Sequence, residues 1–205
     1  MAGPESAVGE PQHMYRTVSI SEVHYVGKRR RPFLHVVRQE IEALSPCRSF
    51  PFYFDTRNVV GAFPEEGCRI SGYRGVGGML RAVDVTFPQE LQPGEHAAAT
   101  IRCSWVTPRI AGSISIHEPE CRRQVGDQAI GRITMAVSFH QEHVPNAVWA
   151  AEWSNIHSGT SMQDEKAELV FAQPPANDQF QETLWAVRHV EDVQPGRVFG
   201  IAWKW

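Results

Sequence analysis

Four consecutive cations, Lys28, Arg29, Arg30 and Arg31, form the densest run of charge in the chain. Held together at the tip of a turn, such side chains add their fields and suit phosphate or another polyanion. Two histidines, His24 and His35, flank this run and could approach each other across a hairpin. A satisfied structural imidazole is the ordinary role of such a pair. Among the nine histidines, His140 and His143 in His140-Gln141-Glu142-His143 are the closest in sequence. On a strand, positions three apart face opposite ways, so these two cannot hold one ion without a bend, and no metal ligand is assigned. Asp55, His117 and Glu118 lie near expected strand ends and are the candidates for acid–base chemistry. No nucleophile accompanies them, because Gly-x-Ser-x-Gly is absent and the four cysteines, Cys47, Cys68, Cys103 and Cys121, show no Cys-x-x-Cys spacing. Gly75-Val76-Gly77-Gly78 lacks the Lys and the Ser or Thr of a phosphate loop, so no GTPase site, no nucleotide and no cofactor are expected.

The elements that must position these groups follow a period of two. Residues 17–26 alternate in their first half and are rich in β-formers, which predicts a strand with one buried face. The basic run breaks it, and 33–37 resume, giving strand, basic turn, strand. Residues 38–44 read as a helical turn ended by Pro46. Phe50-Pro51-Phe52-Tyr53-Phe54 is a dense aromatic run, with Phe52 and Phe54 expected inside and Tyr53 outside. Five glycines in 67–78 predict a flexible excursion. Further strands are expected at 59–62, 80–87, 97–106, 113–117, 130–139, 148–153, 167–171, 184–190 and 198–203. Short strands punctuated by Gly and Pro predict an all-β sandwich or barrel.

Composition bounds the rest. In 205 residues, 42% are hydrophobic and 21% charged, as in a globular chain able to bury a core. The net charge of −3 gives no overall pull towards nucleic acid or membrane. Residues 136–205 hold four basic and nine acidic side chains, so the two parts of the chain present different surfaces. The first dozen residues lack the features of a signal peptide and read as a loose tail. No apolar run is long enough to span a membrane, and reduced thiols in a cytoplasmic setting are expected. Five of the six tryptophans follow residue 148, and Trp203-Lys204-Trp205 would frame an exposed aromatic patch if unpaired.

Several landmarks appear together in order. Glu22-Val23-His24-Tyr25-Val26 leads through the charged loop to Pro32-Phe33. Phe52-Tyr53-Phe54-Asp55-Thr56-Arg57-Asn58-Val59-Val60-Gly61-Ala62 follows, then Gln92-Pro93-Gly94-Glu95, Thr100-Ile101 and Pro108-Arg109-Ile110-Ala111. Arg123-Gln124-Val125-Gly126 closes the series. Over 17–134 the chain resembles the third, C-terminal β-barrel domain of elongation factor Tu, without the GTPase domain. It departs from that pattern by an apparent insertion at 67–81 and by Pro119-Glu120-Cys121-Arg122 where the family keeps two glycines.

The resemblance implies an antiparallel β-barrel over 15–135, preceded by a tail at 1–14 and followed by extra C-terminal strands over 136–205. It implies a non-enzymatic binding module related to translation factors. Its partner would be tRNA-like RNA or a translation-related protein, met through the barrel loops. The positions matching the family's RNA-facing segments are Lys28, Arg29, Arg30, Arg31, Thr56, Glu118, Arg123 and Gly126. The alternative reading is a β-barrel enzyme or small-ligand binder with a pocket at the barrel mouth. A third is a relationship of fold alone.

Overall fold

Period-two alternation governs most of the chain, and fourteen strands are found among the described residues. The computed structural model describes residues 14–28, 30, 32–55, 59–77, 80–105, 120–155, 162–165, 167–172 and 183–205. The expected strand at 113–117 lies outside them. β1 (Tyr15–Val26) and β2 (Pro32–Ala43) form the first hairpin, which sets His24 opposite His35 and Glu22 opposite Val37. The helical turn expected at 38–44 is instead the second half of β2. There Val37, Ile41 and Ala43 are wholly buried on one face, so alternation overrides the helix propensity of the Gln and Glu between them.

β3 (Cys47–Asp55), β4 (Val59–Glu66), β5 (Arg69–Gly77), β6 (Leu80–Leu91) and β7 (His96–Trp105) follow. The glycine-rich excursion is thus strand β5, an edge strand with almost every side chain in solvent. β8 (Glu120–Gln124) was not anticipated. β9 (Ile130–His140) runs into a single 3-10 turn, Gln141–His143, so His140 and His143 are not on one strand. β10 (Ala147–Trp153), β11 (Met162–Gln163), β12 (Leu169–Ala172), β13 (Thr183–Val193) and β14 (Val198–Lys204) complete the order.

The protein is all-β. Its strands form a seven-stranded sheet (β12-β13-β9-β1-β2-β7-β4), a four-stranded sheet (β11-β10-β14-β8) and a three-stranded sheet (β3-β6-β5). The pairing is antiparallel except between β1 and β9. The sheets keep open edges, so the barrel expected over 15–135 is not closed. Residues beyond 136 contribute to two of the sheets, since β13 pairs with β9 and β14 pairs with β8.

The three sheets share one apolar core. Ile20, Val37, Ile101, Ile133 and Val137 come from the large sheet, Phe199, Ile201 and Trp203 from the second, and Phe50, Phe52, Val83 and Val85 from the third. Phe52 and Phe54 point inward and Tyr53 is exposed, as alternation requires. Trp203 is fully buried, edge-on to Phe139 with ring centroids 5.3 Å apart, so the expected exposed aromatic patch does not form around it. β14 lies so close to β8 that a Cβ at Gly200 would sit 1.9 Å from the Cys121 carbonyl oxygen. Among the described residues, no helix is long and apolar enough to cross a membrane.

Candidate functional site

Strand β1 turns Ile20, Glu22, His24 and Val26 to the same, inner face of the large sheet, and all four are buried. Two of them are polar, which is the departure that marks the site. Cross-strand pairing brings His35 of β2 opposite His24, and Cys103 of β7 opposite His35. The His24 and His35 rings stack with centroids 3.9 Å apart and planes 15° apart, so the approach expected across the hairpin does occur. His35 reaches diagonally to Glu22, with Nε2 3.1 Å from Oε2.

The fourth member comes from the facing sheet. Arg123 on β8 points into the core, donating Nε to Glu22 Oε1 at 3.0 Å and Nη2 to Oε2. Burial alone would raise the Glu22 carboxyl. The Arg123 charge and the hydrogen bonds from His35 and Arg123 outweigh burial and hold that carboxyl well below its usual range. An ionised carboxylate only accepts, so His35 Nε2 carries the proton between them. Burial drives His24 well below the usual imidazole range, with His35 adding to the effect, so His24 is neutral. Two thiols border the group, Cys103 beside His35 and Cys121 two residues before Arg123. Burial pushes the Cys103 thiol up to about 12 and Cys121 upward as well.

Chemically, the cluster is the Glu22–Arg123 ion pair bordered by the neutral His24 imidazole, by His35 and by two neutral thiols. Nitrogen and oxygen donors in this mixture suit a divalent transition metal. Acid–base work on an outside substrate is another matter, because Glu22 is 2% exposed and His24 6%. A second buried tie joins the same two sheets. Arg188 on β13 donates Nη1 to the Ala151 and Gly200 carbonyls at 2.8 and 2.9 Å and Nη2 to Asp164. Away from the core, a cleft of about 440 Å³ is lined by Arg16, Glu42, His96 and Asp192 among others. Arg16 already spans to Glu42 at 2.6 Å there, and His96 lies 3.6 Å from the same carboxylate.

Four of the residues expected to face RNA, Lys28, Arg30, Arg123 and Gly126, are among the described residues. Lys28 pairs with Glu142 at 3.5 Å. Arg30, in the left-handed region at φ 58°, lays its guanidinium over Trp205 at 5.2 Å. Arg123 faces inward to Glu22 and not outward to a phosphate, because the carboxylate buried beneath it needs a counter-charge. Gly126 is exposed, and its carbonyl accepts from Gly196 N at 3.2 Å. Arg29, Arg31, Thr56, His117 and Glu118 lie outside the described residues. His140 and His143 have ring centroids 6.4 Å apart, and His140 Nδ1 accepts from Glu142 N at 3.3 Å. Sequence reasoning noticed His24 and His35 but missed Glu22 as their partner. The available signal was an acid and an imidazole two residues apart on a face otherwise apolar.

No family model matches the chain, and no curated protein matches it. Among solved structures, its fold is similar to that of a candidate protease from Parabacteroides distasonis. The TM-score is 0.51 at 6% identity, over 92% of this chain and 40% of that one. An M1 zinc metallopeptidase from Deinococcus radiodurans matches with a TM-score of 0.46 and 15% identity, over 92% and 42% of the two chains. The chain thus spans well under half the length of the structures it resembles, and at such identities the likeness is one of fold. It corrects the expectation of a non-enzymatic translation-factor module that recognises RNA or a protein through barrel loops. The architecture is one found in a protease-type protein, carried by open sheets.

Proposed function

We propose that this chain is the β-sheet module of a peptidase-type protein, the framework beside which a hydrolytic domain works. The observation that carries this reading is the fold match over 92% of the chain to only 40% of the Parabacteroides protein. The chemistry agrees. The sequence contains neither His-Glu-x-x-His nor Gly-x-Ser-x-Gly, the spacings that place a zinc site or a serine nucleophile. Its buried histidine–carboxylate cluster, Glu22 with His24 and His35, faces the core, where no peptide bond can reach it. A reducing compartment, the cytoplasm, fits the four free cysteines.

The test has two arms. The isolated 205-residue chain, offered a mixed peptide library with and without Zn²⁺, is expected to hydrolyse nothing. Material crosslinked to it in its native cell and purified by affinity is expected to hydrolyse peptides, with the crosslink mapped to a polypeptide that carries a peptidase centre. Hydrolysis by the isolated chain, or a mapped partner without peptidase activity, would overturn the proposal.

A further inference from the structure

The Glu22 cluster is more than a tie between sheets in its choice of atoms. An ion pair alone needs Glu22 and Arg123. Two histidines stacked beside it add donors that a purely structural pair does not require, and apolar side chains of similar size would fill the space at lower desolvation cost. The donor atoms of Glu22, His24 and His35 all lie within 4.8 Å of one another. Tetrahedral zinc with bonds of 2.0–2.2 Å sets its ligand atoms about 3.4 Å apart. The observed 3.1 Å between His35 Nε2 and Glu22 Oε2 is already close to that separation.

We propose that Glu22, His24 and His35 form a binding site for one divalent transition-metal ion of the zinc class, with Arg123 orienting the carboxylate from behind. Two imidazoles and one carboxylate favour Zn²⁺, Co²⁺, Ni²⁺ or Cu²⁺ over Mg²⁺ or Ca²⁺, which take oxygen donors. The ion enters where the His35 proton now sits. Nε2 must give up that proton before it can ligate the ion. The ion takes His35 Nε2 and Glu22 Oε2, displacing the Arg123 Nη2 bond to Oε2 while Arg123 Nε keeps Oε1, and a nitrogen of His24 once that ring turns out of its stack with His35. A second-sphere donor of this kind fixes the orientation of a ligating carboxylate.

Entry is by way of His35, whose side chain is 13% exposed at the edge of the group. The positive charge of Arg123 opposes the ion, so the site binds more weakly than a closed structural zinc centre.

The experiment uses the full chain stripped with EDTA and titrated with Co²⁺, then with Zn²⁺. One equivalent of Co²⁺ should give visible d–d absorption that Zn²⁺ removes, and the melting temperature should climb with Zn²⁺ concentration. Cu²⁺ loaded into the wild type should show electron-spin hyperfine structure from two imidazole nitrogens. His24→Ala and His35→Ala should each weaken Co²⁺ binding at least tenfold. His35→Ala, at the accessible edge, decides the matter if His24→Ala does not fold. The paired substitutions His140→Ala and His143→Ala should change nothing. The proposal is overturned if the wild type shows no saturable one-equivalent binding. It is equally overturned if binding survives His35→Ala unchanged, or disappears with His140 and His143.

Discussion

Replacing Arg123 by methionine strands a carboxylate that is 1% exposed at its side chain and leaves it, among the described residues, the His35 hydrogen bond. Breaking a buried ion pair from one side costs about 3–5 kcal/mol, because the remaining charge is neither solvated nor paired. The reverse change is gentler. In Glu22→Met the orphan is Arg123, whose side chain is 21% exposed and can turn its guanidinium towards water. That loss should be about 1–2 kcal/mol, nearer the value for one charged hydrogen bond. The double variant Glu22→Met/Arg123→Met removes both charges and leaves apolar side chains in an apolar core. It should be no less stable than Glu22→Met alone, so the two substitutions couple by at least about 3 kcal/mol. Urea unfolding at pH 7, with chelator present, measures all three. At a slope of about 3 kcal/mol per molar, Arg123→Met should lower the midpoint by about 1 M or more. Additive losses, or a larger loss for Glu22→Met than for Arg123→Met, would refute the view that burial of the carboxylate is what Arg123 offsets.

Gly200→Ala should cost at least about 3 kcal/mol, read as a fall in melting temperature, because its Cβ meets the Cys121 carbonyl oxygen at 1.9 Å and β8 must move away. Phe52→Ala should cost about 3–5 kcal/mol and the neighbouring exposed Tyr53→Ala under about 1, by denaturant titration, since the two rings face opposite sides of β3. In the native protein at pH 8, an aromatic disulfide reagent should modify Cys68 at most, and all four thiols only in denaturant, since Cys47, Cys103 and Cys121 are buried. The Cys103 thiol is raised in the folded state to about 12. Its contribution is therefore fully present below about pH 9 and lost as pH rises towards 12, and Cys103→Ala should flatten the alkaline limb of a stability–pH curve.

Much of the fold was legible because most strands bury one face only. Residues 17–26, 50–54, 130–139 and 198–203 alternate or carry the bulk of the core, and each lies in a strand. The misreadings have local causes. In β2, Gln39, Glu40 and Glu42 lend helical composition to a stretch whose inward positions Val37, Ile41 and Ala43 keep a strand period. In β5, glycine content masks a strand that needs no buried face because it lies at a sheet edge. The candidate site was half legible. His24 and His35 are joined by a short hairpin, which sequence can suggest. Arg123 meets Glu22 across 101 residues and between two sheets, and no local pattern encodes that meeting. The cation run attracted attention for its charge, yet Lys28 and Arg30 answer neighbours of this same chain, Glu142 and Trp205. Closure into a barrel was not legible either, since alternation fixes which face is buried and leaves the number of sheets open.

The parallel pairing of β1 with β9 also sets the order in which this chain can be completed on the ribosome. The β1–β2 hairpin is local and can form early, but one edge of β1 has no partner until residues 130–140 have been made. At ordinary rates of synthesis that interval is roughly 5–20 s, far longer than a hairpin takes to close. For all of that time Glu22 waits without Arg123, and the apolar inner face of the hairpin has no second sheet to cover it. The nascent chain is therefore most exposed to wrong pairing early in translation and is secured only near the end. Slowing translation before residue 120 should lower the soluble yield, and a chaperone that holds the first hairpin should restore it.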